Sequence, residues 1–572
     1  MNASTRMGRL VVDELVRHGV RDAVLAPGSR SAPLALALHA ADAAGRLRLH
    51  VRVDERSAGF VALGLARGSR LPVPVVTTSG SAVANLHPSV LEAHHAGLPV
   101  LVLSADRPAE LRGTGANQTT DQVGLFGSAV RCSVDVPADH MGDAAVAAWR
   151  AQLSRAVIAA TGATSRDPGP VQVNLCFAPP LVPDPDDDGS TPTGRGGGRP
   201  WTTATEAVSA EPVPLPRGPR TVVVAGADAQ QPARELAESA DWPLVAEPTS
   251  GARTGPNALR CGTLLLGHER WSAAVERVVV AGRPTLSRAT TTLLGRADVK
   301  VVVLCDRSRW NDPGARASTV VPAVRVQEPP SDADDAWWAT WRAADQKVAA
   351  AVDETLADLA AKLPDGELLG PEVARAVSAA VLPGATLHVG SSQPLRDLDL
   401  VGVPYPVGGR RFIVGNRGLS GIDGAVSTAI GTALGRPSPR SLALVGDLTF
   451  LHDANGLLLG PDEPRPDLTI VVANDHGGSI FATLEPGEPQ HAGAFERVFG
   501  TPTGADLAAL CAAYGTPHHR VLDTDELADL LAGPVTGVRV LEAVVDRVGR
   551  RELSETLRAS ADKTLGTVSP VG

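Results

Sequence analysis

Several features that mark particular classes of protein are scarce in this sequence of 572 residues. The five cysteines are scattered and form no CxxC pair, so the sequence indicates neither a disulfide framework nor a thiolate metal site. Aromatic residues make up only 3% of the chain. No run approaches the roughly 18 consecutive apolar residues that a membrane-spanning helix needs, so we expect no membrane span.

Positive charge is also in deficit. With 53 Lys and Arg against 63 Asp and Glu, the net charge is −10. This argues against a nucleic-acid-binding protein, which usually carries a basic excess. Nearly all the cations are arginines, whose planar guanidinium suits carboxylate recognition. The first residues, MNASTRMGRLVVDELVRHG, are typical of an amphipathic helix rather than of a secretory signal, so we expect a soluble, cytoplasmic protein.

The chain does contain a regular alternation of short β-branched runs with helical stretches rich in Ala and Leu. Hydrophobic residues make up 43% of it, which is typical of globular proteins. The runs include VPVVTTSG, LPVLVLSA, RTVVVAGA, KVVVLCD, SLALVGD and LTIVVAN. This pattern predicts an α/β fold with doubly wound parallel sheets. Such sheets bind ligands at the carboxyl ends of their strands, so functional residues are expected there.

The length predicts two to four domains, and two breaks in the pattern, one rich in Pro, Gly and Asp and a softer one near residue 363, divide the chain into three. Residues 181–215 lie in a stretch rich in Pro, Gly and Asp that cannot bury a core, so we interpret them as a linker or flexible loop. The predicted domains are then an amino-terminal one at 1–180, a central Rossmann-like one at 216–362 and a carboxyl-terminal one at 363–572. The central domain lacks GxGxxG, so no dinucleotide is expected there. The first and third domains are alike in layout.

Polar residues follow two strands of the predicted carboxyl-terminal domain. Gly446 and Asp447 end the run SLALVGD, and Asn474 ends LTIVVAN, 27 residues after Asp447. A carboxylate, an amide oxygen and a backbone carbonyl form an oxygen shell suited to Mg²⁺. Gly446 would let the backbone come close to a diphosphate. The alternative is that Asp447 and Asn474 only cap helices, as both residue types often do.

A second candidate lies near the amino terminus. Glu55 stands where the strand LHVRV meets the helix of ERSAGFVALGLARG, and its simplest role is that of an acid favoured by the helix dipole. However, the segment GDLTFLHDANGLLLGPDEPRPDLTIVVANDHGG resembles the motif of thiamine-diphosphate (ThDP) enzymes: GD, a helix, a strand and then Asn. Members of that family carry their catalytic Glu at such a strand–helix junction. Together, the two sites identify the chain as similar to that family.

Further segments resemble one branch of the ThDP enzymes, the SEPHCHC synthases of menaquinone biosynthesis. They are APGSRSAPL, DERSAGFVALGLA, TSGSAVANLHP, SADRPAEL, GANQ, NRGLSGIDG and GDLTFLHDANGL. The resemblance covers nearly all of the first and third domains and is weak in the central one. GDL stands where many ThDP enzymes have GDG, and Asn-Asp replaces the usual Asn-Asn; this branch tolerates both.

This resemblance implies an enzyme that decarboxylates 2-oxoglutarate and adds the resulting unit to isochorismate, with ThDP as cofactor. It implies that Glu55 hydrogen-bonds the aminopyrimidine and that Ile422 supports the bent cofactor, although Ile422 could equally be a core residue. Asp447, Asn474 and the backbone carbonyl of His476 would bind Mg²⁺, or Mn²⁺ as an alternative. The remaining cofactor contacts would be Ser392, Gly446, Leu448 and Ile480.

Both substrates are dianions, and the matching segments contain arginines that would bind their carboxylates. Each arginine taken singly is more often a surface or ion-pair residue. Gln118 in GANQ resembles a substrate-contacting residue of the family, with a loop hydrogen bond as its alternative role. The predicted substrate residues are Ser29, Arg30, Arg107, Gln118, Arg288, Arg396 and Arg417, of which Arg288 lies in a poorly matching segment.

Glu55 and Asp447 are almost 400 residues apart. In this family the cofactor lies between the amino-terminal domain of one subunit and the carboxyl-terminal domain of another. The resemblance therefore implies a homodimer or a homotetramer.

Three other functions remain open at this point. The chain could be a different ThDP enzyme, such as an acetohydroxyacid synthase or a 2-oxoacid decarboxylase. It could be a non-catalytic binding protein of the same fold, although such a relative would have lost Glu55 or Asp447. It could also be a flavin- or NAD-dependent oxidoreductase that uses the central domain.

Overall fold

The computed structural model describes residues 1–137, 143–329, 332–547 and 549–570. They form two compact units built from several segments of the chain. Unit 1 consists of Met1–Val208, Gly418–Pro437 and Asp453–Pro466. Unit 2 consists of Ser209–Arg417, Ser438–His452 and Asp467–Gly572.

Unit 1 contains a six-stranded parallel sheet in the order β2-β1-β3-β4-β6-β5. Its strands are β1 (Asp22–Leu25), β2 (Arg48–Val51), β3 (Val73–Thr77), β4 (Val100–Asp106), β5 (Ser133–Val136) and β6 (Val171–Cys176). The helices of this part of the chain are α1 (Ala3–Arg17), α2 (Ala32–Ala43), α3 (Glu55–Ser69), α4 (Ser81–Ala84), α5 (His87–Ala96) and α6 (Asp143–Thr161).

Unit 2 contains two larger parallel sheets. The first, here called the central sheet, has five strands in the order β12-β11-β10-β8-β9, and a separate two-stranded pair joins β7 to β13. The strands are β7 (Val213–Leu215), β8 (Thr221–Ala225), β9 (Leu244–Ala246), β10 (Arg277–Ala281), β11 (Lys300–Leu304), β12 (Ala317–Val321) and β13 (Val324–Val326). The accompanying helices are α7 (Gln230–Ala240), α8 (Gly262–Gly267), α9 (Glu269–Ala273), α10 (Arg288–Leu294) and α11 (Asp332–Ala360).

The second sheet of unit 2, here called the third sheet, has six parallel strands in the order β15-β14-β16-β17-β19-β18. They are β14 (Thr386–Val389), β15 (Phe412–Val414), β16 (Ser441–Gly446), β17 (Leu468–Asn474), β18 (His518–Val521) and β19 (Val538–Val544). The helices are α12 (Gly370–Ala379), α13 (Gln393–Val401), α14 (Ala425–Gly435), α15 (Asp447–His452), α16 (Ala492–Phe495), α17 (Leu507–Ala513), α18 (Thr524–Ala532) and α19 (Arg550–Gly566), of which α14 belongs to unit 1.

The strands form where the apolar runs are. Every residue of β1, β3, β4 and β6 is buried, and the same holds for β8, β10, β14 and β17. Strands buried on both faces are typical of parallel sheets that are covered by helices on either side. The predicted fold class, α/β with doubly wound parallel sheets, is therefore confirmed. The predicted boundaries at 1–180, 216–362 and 363–572 stay predictions.

Counted along the chain, the sheet of unit 1 and the third sheet have the same strand order. If the six strands of each are numbered 1 to 6, both read 2-1-3-4-6-5. The likeness in layout that the sequence suggested thus extends to the connectivity. It allows the residues that follow matching strands to be compared directly.

Glycines let α3 and α14 pack closely within unit 1. A Cβ added at Gly64 would lie 2.3 Å from the carbonyl oxygen of Thr428, and one at Gly431 would lie 2.3 Å from that of Val61. Such distances leave no room for a side chain, so the two helix backbones are in contact there. This contact places the residues before α14 in the same unit as Glu55.

The predicted linker at 181–215 makes specific contacts with α1 over much of its length. Arg9 Nη1 lies 2.5 Å from Asp187 Oδ1, and the backbone N–H of Trp201 donates to Glu14 Oε1 at 2.6 Å. The segment up to Val208 belongs to unit 1. Its polar composition is therefore compatible with order, because charged side chains of α1 provide its partners.

Among the described residues, no helix combines the length and the apolar character that crossing a membrane requires.

Candidate active site

The ends of β16 and β17 bring together the predicted metal ligands. The strands are neighbours and Gly446 pairs with Ala473, so Asp447 and Asn474 are the next residues on adjacent strands. Both side chains are buried. Asp447 also begins α15, where the partial positive charge of the helix N-terminus favours an acid.

A second carboxylate, Asp475, accompanies Asp447. Burial, and next the neighbouring charge of Asp475, raise the pKa of Asp447 to about 7. Burial likewise raises the pKa of Asp475, against hydrogen bonds from Ser479 and from the backbone of Gly477. Two buried acids at one strand edge are stabilised by a cation, because each disfavours the ionised form of the other.

Asn474 is held by a further buried acid. Its Nδ2 donates to Glu542 Oε1 at 2.6 Å, and the other oxygen of Glu542 lies 2.9 Å from His518 Nε2. Asn474 Oδ1 accepts the backbone N–H of His476 at 3.0 Å. Because Glu542 accepts a hydrogen bond from the amide nitrogen, it determines the orientation of the Asn474 amide. The amide oxygen therefore points toward the turn at His476.

The donor set at this edge fits a hard divalent cation and a diphosphate. It comprises the carboxylate of Asp447, the amide oxygen of Asn474 and the backbone carbonyl of His476, all oxygens of the kind Mg²⁺ prefers. His476 adopts a left-handed backbone with φ 55°, which turns the chain sharply after β17. Over residues 1–137, 143–329, 332–547 and 549–570, no group of three or more His, Cys, Asp or Glu side chains could hold a metal. A site here would thus depend on amide and carbonyl oxygens beside its carboxylate.

The other predicted cofactor residues of unit 2 surround this edge. Ser392 precedes α13, and a Cβ added at Gly446 would come 3.3 Å from its Oγ. Leu448 follows Asp447 on α15, and its backbone N–H bonds the Asp447 carboxylate. Ile480 lies in the 3-10 turn Ser479–Thr483 that follows the His476 turn. Glycine at 446 thus keeps the backbone open beside Ser392.

Glu55 and Ile422 both lie in unit 1, at the beginnings of the two helices that pack together. Glu55 is the first residue of α3 and is half-buried in the single chain, and Asp54 caps the helix by accepting the N–H groups of Arg56 and Ser57. Ile422 stands three residues before α14 and is half-buried too. The predicted proton-transfer residue therefore occupies a capped, well-defined helix start.

A buried acid ties these two helix starts together. Asp453 accepts the backbone N–H of Ser427 at 2.6 Å and the Ser427 hydroxyl at 3.0 Å, and it lies 3.4 Å from Ser57 Oγ. Burial raises its pKa to about 6. Asn455 Nδ2 adds a bond of 2.9 Å to Asp54 Oδ2. The segment after α15 thus holds the end of α3 at which Glu55 stands.

Three predicted substrate residues come together at strand ends of unit 1. Arg107 follows β4, and its Nη1 donates to Ser79 Oγ and to the Gln118 carbonyl oxygen, the latter at 2.8 Å. Gln118 has a left-handed backbone, with φ 57°, and its Nε2 donates to the Ser79 carbonyl at 3.0 Å. Arg30 Nη1 donates to the carbonyl of Phe177 at 2.7 Å. Burial and then the charge of Arg107 lower the pKa of Arg30, so these two cations lie near each other. Ser29 is exposed in the same turn.

Arg396 and Arg417 form the equivalent pair in unit 2. Arg417 is buried, and it donates to Thr285 Oγ1 at 2.6 Å and to Ser391 Oγ at 3.2 Å. Burial, and next the charge of Arg417, lower the pKa of Arg396. Both units therefore hold a pair of close guanidinium groups at strand ends, which suits ligands with two carboxylates.

Arg288 stands apart from that pair. Its guanidinium forms a bidentate ion pair with Glu485, at 2.8 and 3.0 Å, and both side chains are exposed. It does line the same cavity as Arg396, a space of about 840 Å³ between α8, α10, α13 and α19. The structure thus relates Arg288 to Arg396 through a shared cavity rather than through contact.

Several residues of these clusters were missed in the sequence: Ser79, Thr285, Ser391, Asp475 and Glu542. For Glu542 a signal exists, because it interrupts the apolar strand VRVLEAVV, and a charge inside a buried strand needs a partner. Ser79 carries no comparable signal, since its role depends on an arginine that is distant in sequence.

A carboxylate and an amide at adjacent strand ends of the third sheet, and an acid at the start of α3 in unit 1, are the residues expected of a ThDP-dependent enzyme. The family of "thiamine pyrophosphate enzyme, N-terminal TPP binding domain" matches residues 5–125, and that of the "C-terminal TPP binding domain" matches residues 404–541. These two matches cover the unit 1 sheet and the third sheet only in part, but they include Glu55, Asp447 and Asn474.

Relatives that are similar over nearly the full length indicate which group of ThDP-dependent enzymes the chain belongs to. Proteins named 2-succinyl-5-enolpyruvyl-6-hydroxy-3-cyclohexene-1-carboxylate (SEPHCHC) synthase are 52% identical in Kineococcus radiotolerans, over 98% of this chain and 99% of the relative, and 50% identical in a Nocardioides species, over 97% and 98%. The protein of that name in Nocardia farcinica is 50% identical over 98% of this chain and 99% of its own. The chain belongs to the SEPHCHC synthase family.

Proposed function

We propose that this chain catalyses the ThDP-dependent decarboxylation of 2-oxoglutarate and the conjugate addition of the resulting four-carbon unit to isochorismate, which gives SEPHCHC in menaquinone biosynthesis. The observation that carries the proposal is the pair of strand ends at Asp447 and Asn474, together with two arginine pairs that suit dicarboxylates. The names of the full-length relatives agree with it.

The residues divide the work between cofactor and substrates. Asp447, Asn474 and the His476 carbonyl would hold Mg²⁺, or Mn²⁺ in its place, and Gly446 and Ser392 would contact the diphosphate. Bound ThDP supplies the electron sink that accepts the charge left when CO₂ departs. Leu448 and Ile480 are proposed as further cofactor contacts, and Ile422 as the apolar residue that would support the bent cofactor.

Glu55 is the proposed proton-transfer residue. Placed at the first position of α3 and supported by the Asp54 cap, its carboxyl group is proposed to bond the aminopyrimidine N1′ and to exchange a proton there. Arg30, Arg107 and Gln118 from unit 1, and Arg288, Arg396 and Arg417 from unit 2, are proposed to bind the substrate carboxylates, with Ser29 beside them.

We further propose that the enzyme is a homodimer or a homotetramer. The ground is the resemblance to the ThDP family, in which the cofactor lies between two subunits; here the residues for the aminopyrimidine and those for the metal lie in different units of the chain. A cytoplasmic location is supported by the five cysteines, all of which are free thiols, as expected in a reducing compartment. Light scattering of the purified protein tests the first point: an active monomer would contradict it.

A two-stage experiment tests the activity. Thermal unfolding is measured with and without ThDP and Mg²⁺, and release of CO₂ from 2-oxoglutarate is then followed with and without isochorismate. We expect stabilisation only when both ThDP and Mg²⁺ are present, and CO₂ release that depends on isochorismate for sustained turnover. Turnover of pyruvate alone, without reaction of isochorismate, would instead indicate an acetohydroxyacid synthase or a decarboxylase.

A further inference from the structure

A buried acid of the central sheet lies behind one of the substrate arginines. Glu247 follows β9, and its side chain is 6% exposed. Its Oε1 accepts two consecutive backbone N–H groups, those of Thr285 and Leu286, each at 2.7 Å. Its Oε2 is buried and has no hydrogen-bond partner among the described residues.

The loop that Glu247 holds in turn supports Arg417. Thr285 Oγ1 accepts a hydrogen bond from Arg417 Nη2 at 2.6 Å. On its other side the Arg417 guanidinium donates to Ser391 Oγ, whose hydroxyl donates to the Asn416 carbonyl at 2.7 Å. The position of Arg417 therefore depends on the position of Thr285, and the backbone of Thr285 depends on Glu247.

A comparison with another buried acid of unit 2 shows what is unusual about Glu247. Asp345 also accepts two consecutive backbone N–H groups, from Arg260 at 3.1 Å and from Cys261 at 2.7 Å, but it uses one oxygen for each. Both of its oxygens are thus satisfied by the backbone. Glu247 uses a single oxygen for the same task and keeps the second in a buried place near a charged group, which a purely structural role does not require.

We propose that Glu247 is a positioning residue for Arg417: it fixes the guanidinium through Thr285, and the charge on its second oxygen sets how strongly Arg417 binds a substrate carboxylate. This inference rests on the proposed function of Arg417 in binding a dicarboxylate. It assigns a role in substrate affinity to the central sheet, for which the sequence suggested none beyond Arg288.

The charge of Glu247 is able to change near neutral pH. Burial raises its pKa to about 7, against the Leu286 N–H group and Arg417, which lower it. Asp399 adds to the increase. Other charged groups on the surrounding elements bear on the same titration; they are Arg253, which bonds Asp399, Arg396 on α13, and the Arg283–Asp228 pair before Thr285.

The direction of the effect follows from the charges. Below pH 7 Glu247 is neutral and Arg417 offers its full positive charge to an anion. Above pH 7 the ionised carboxylate lies beside Arg417 and opposes a bound carboxylate, so affinity falls as the pH rises. By reciprocity, binding of a dianion raises the pKa of Glu247 and takes up a proton near neutral pH.

The test uses the chain loaded with ThDP and Mg²⁺ and the dianion glutarate as a non-reacting probe. Calorimetric titrations at pH 6 and pH 8, in buffers of different ionisation enthalpy, give both Kd and the number of protons taken up. For the wild type we expect Kd to rise roughly 3- to 10-fold from pH 6 to pH 8, with proton uptake near pH 7. Glu247→Gln, which stays neutral, should bind with a Kd that is nearly constant with pH and should take up fewer protons.

Two further variants separate this role from general stability. Asp345→Asn removes the charge of the matched buried acid and should leave the pH dependence of glutarate binding as in the wild type. Thr285→Val removes the hydroxyl that supports Arg417 and should weaken glutarate binding about 10-fold at both pH values while the pH dependence remains. Melting temperatures and circular dichroism establish that each variant is folded.

The outcomes distinguish this inference from the proposed function. If Glu247→Gln and the wild type show the same pH dependence and proton uptake, the inference is wrong, even where 2-oxoglutarate and isochorismate are turned over. If glutarate binding behaves as expected but neither substrate reacts, the positioning role stands and the proposed reaction falls. Failure of the wild type to bind glutarate at either pH would overturn the inference.

Discussion

The sheet of unit 1 and the third sheet share one strand order but carry different chemistry at matching strand ends. The first strand of each leads to a serine and an arginine, namely Ser29 and Arg30 after β1 and Ser392 and Arg396 after β14. The second strand leads to Glu55 in unit 1 but to Arg417 in the third sheet. The connectivity thus decides where a ligand-binding residue stands, and the residue itself decides which charge is bound.

The fourth strands show the same relation in more detail. In unit 1 the last residue of β4 is Asp106, and Asn174 from the neighbouring β6 donates to it at 3.0 Å. In the third sheet the last residue of β17 is Asn474, which donates to Glu542 from the neighbouring β19. The acid is thus on the fourth strand in unit 1 and on the sixth strand in the third sheet, and the amide is on the other strand of the pair in each case. In unit 1 the acid is followed by Arg107, and in the third sheet an amide oxygen remains for a cation.

The largest effect is expected from substitutions of the residues that follow the second strand of each sheet. Replacing Glu55 with Gln should lower kcat by about 10²- to 10⁴-fold, because the proton-transfer group is lost, while the chain stays folded. Replacing its counterpart Arg417 with Ala should instead raise KM for a dicarboxylate substrate roughly 10- to 100-fold, with a small change in kcat. Steady-state kinetics with both substrates measure the two effects. Glu206→Gln, an exposed acid of unit 1, serves as the control, and near-normal turnover by Glu55→Gln would remove Glu55 from the mechanism.

The next largest effect is expected at Asp447, which follows the third strand of the third sheet. Asp447→Asn should weaken Mg²⁺ binding by on the order of 100-fold, since the only charged ligand of the proposed set is lost. Without metal, however, the same substitution should make the protein more stable than the wild type at high pH. The pKa of Asp447 is raised to about 7, so its contribution to stability is present below its usual pKa and is lost as the pH rises through 7.

Thermal unfolding at pH 5 and pH 8, with and without Mg²⁺ and ThDP, measures both trends. Without metal, Asp447→Asn should melt about 2–4 °C above the wild type at pH 8, a difference that shrinks toward pH 5. The exposed acid Asp525 provides the matched control, Asp525→Asn, which should retain the full response to Mg²⁺. A wild-type response to Mg²⁺ in Asp447→Asn would exclude this residue as a ligand.

A smaller effect is expected at the fourth strands. Glu542→Gln leaves Asn474 without its charged acceptor and should reduce Mg²⁺ affinity about 10-fold by loosening the amide. The matching variant in unit 1, Asn174→Ala, should leave Mg²⁺ affinity unchanged and affect substrate KM instead. Mg²⁺ titrations followed by cofactor-dependent thermal stabilisation compare the two; equal loss of Mg²⁺ affinity in both would break the comparison between the sheets.

The smallest effect concerns Arg288, which has no counterpart in either six-stranded sheet. Its carboxylate partner Glu485 would compete with a substrate for the guanidinium. Glu485→Gln should therefore lower KM about two-fold and leave the melting temperature unchanged, because exposed ion pairs contribute little to stability. Glu488→Gln, at a nearby half-buried acid of the same loop, is the control. An increase in KM would mean that Glu485, rather than competing, orients Arg288 for the substrate.

The parallel sheets and the residues directly after strands were predictable from the sequence. An apolar run that ends in Asp447 or Asn474 locates a strand end without knowledge of the neighbouring strands, and the same holds for Arg107. Residues that act across strands were not predictable in this way. Glu542 reaches Asn474 because β19, and not β18, lies next to β17, and strand order is a property of the folded sheet.

Glu247 illustrates the same limit more strongly. It bonds a loop that follows β10, although β8 lies between β9 and β10 in the central sheet. No periodicity or local motif relates positions 247 and 285, and the sequence resemblance is weakest in this region. The segment at 181–215 is a different case, because its composition predicts flexibility while its partners, Arg9 and Glu14, lie on a helix almost 200 residues earlier.

The contact of that segment with α1 has a practical meaning for anyone who shortens the chain. Glu14 is fully buried, and its carboxylate meets Arg150 at 2.5 Å and the N–H of Trp201. Trimming residues 181–208 as if they were a spacer would open this charged pocket to water. Residues 181–208 therefore cover part of the amino-terminal core. In a truncated protein, the charged side chains of α1 that they contact would have to be replaced by residues that tolerate exposure to water.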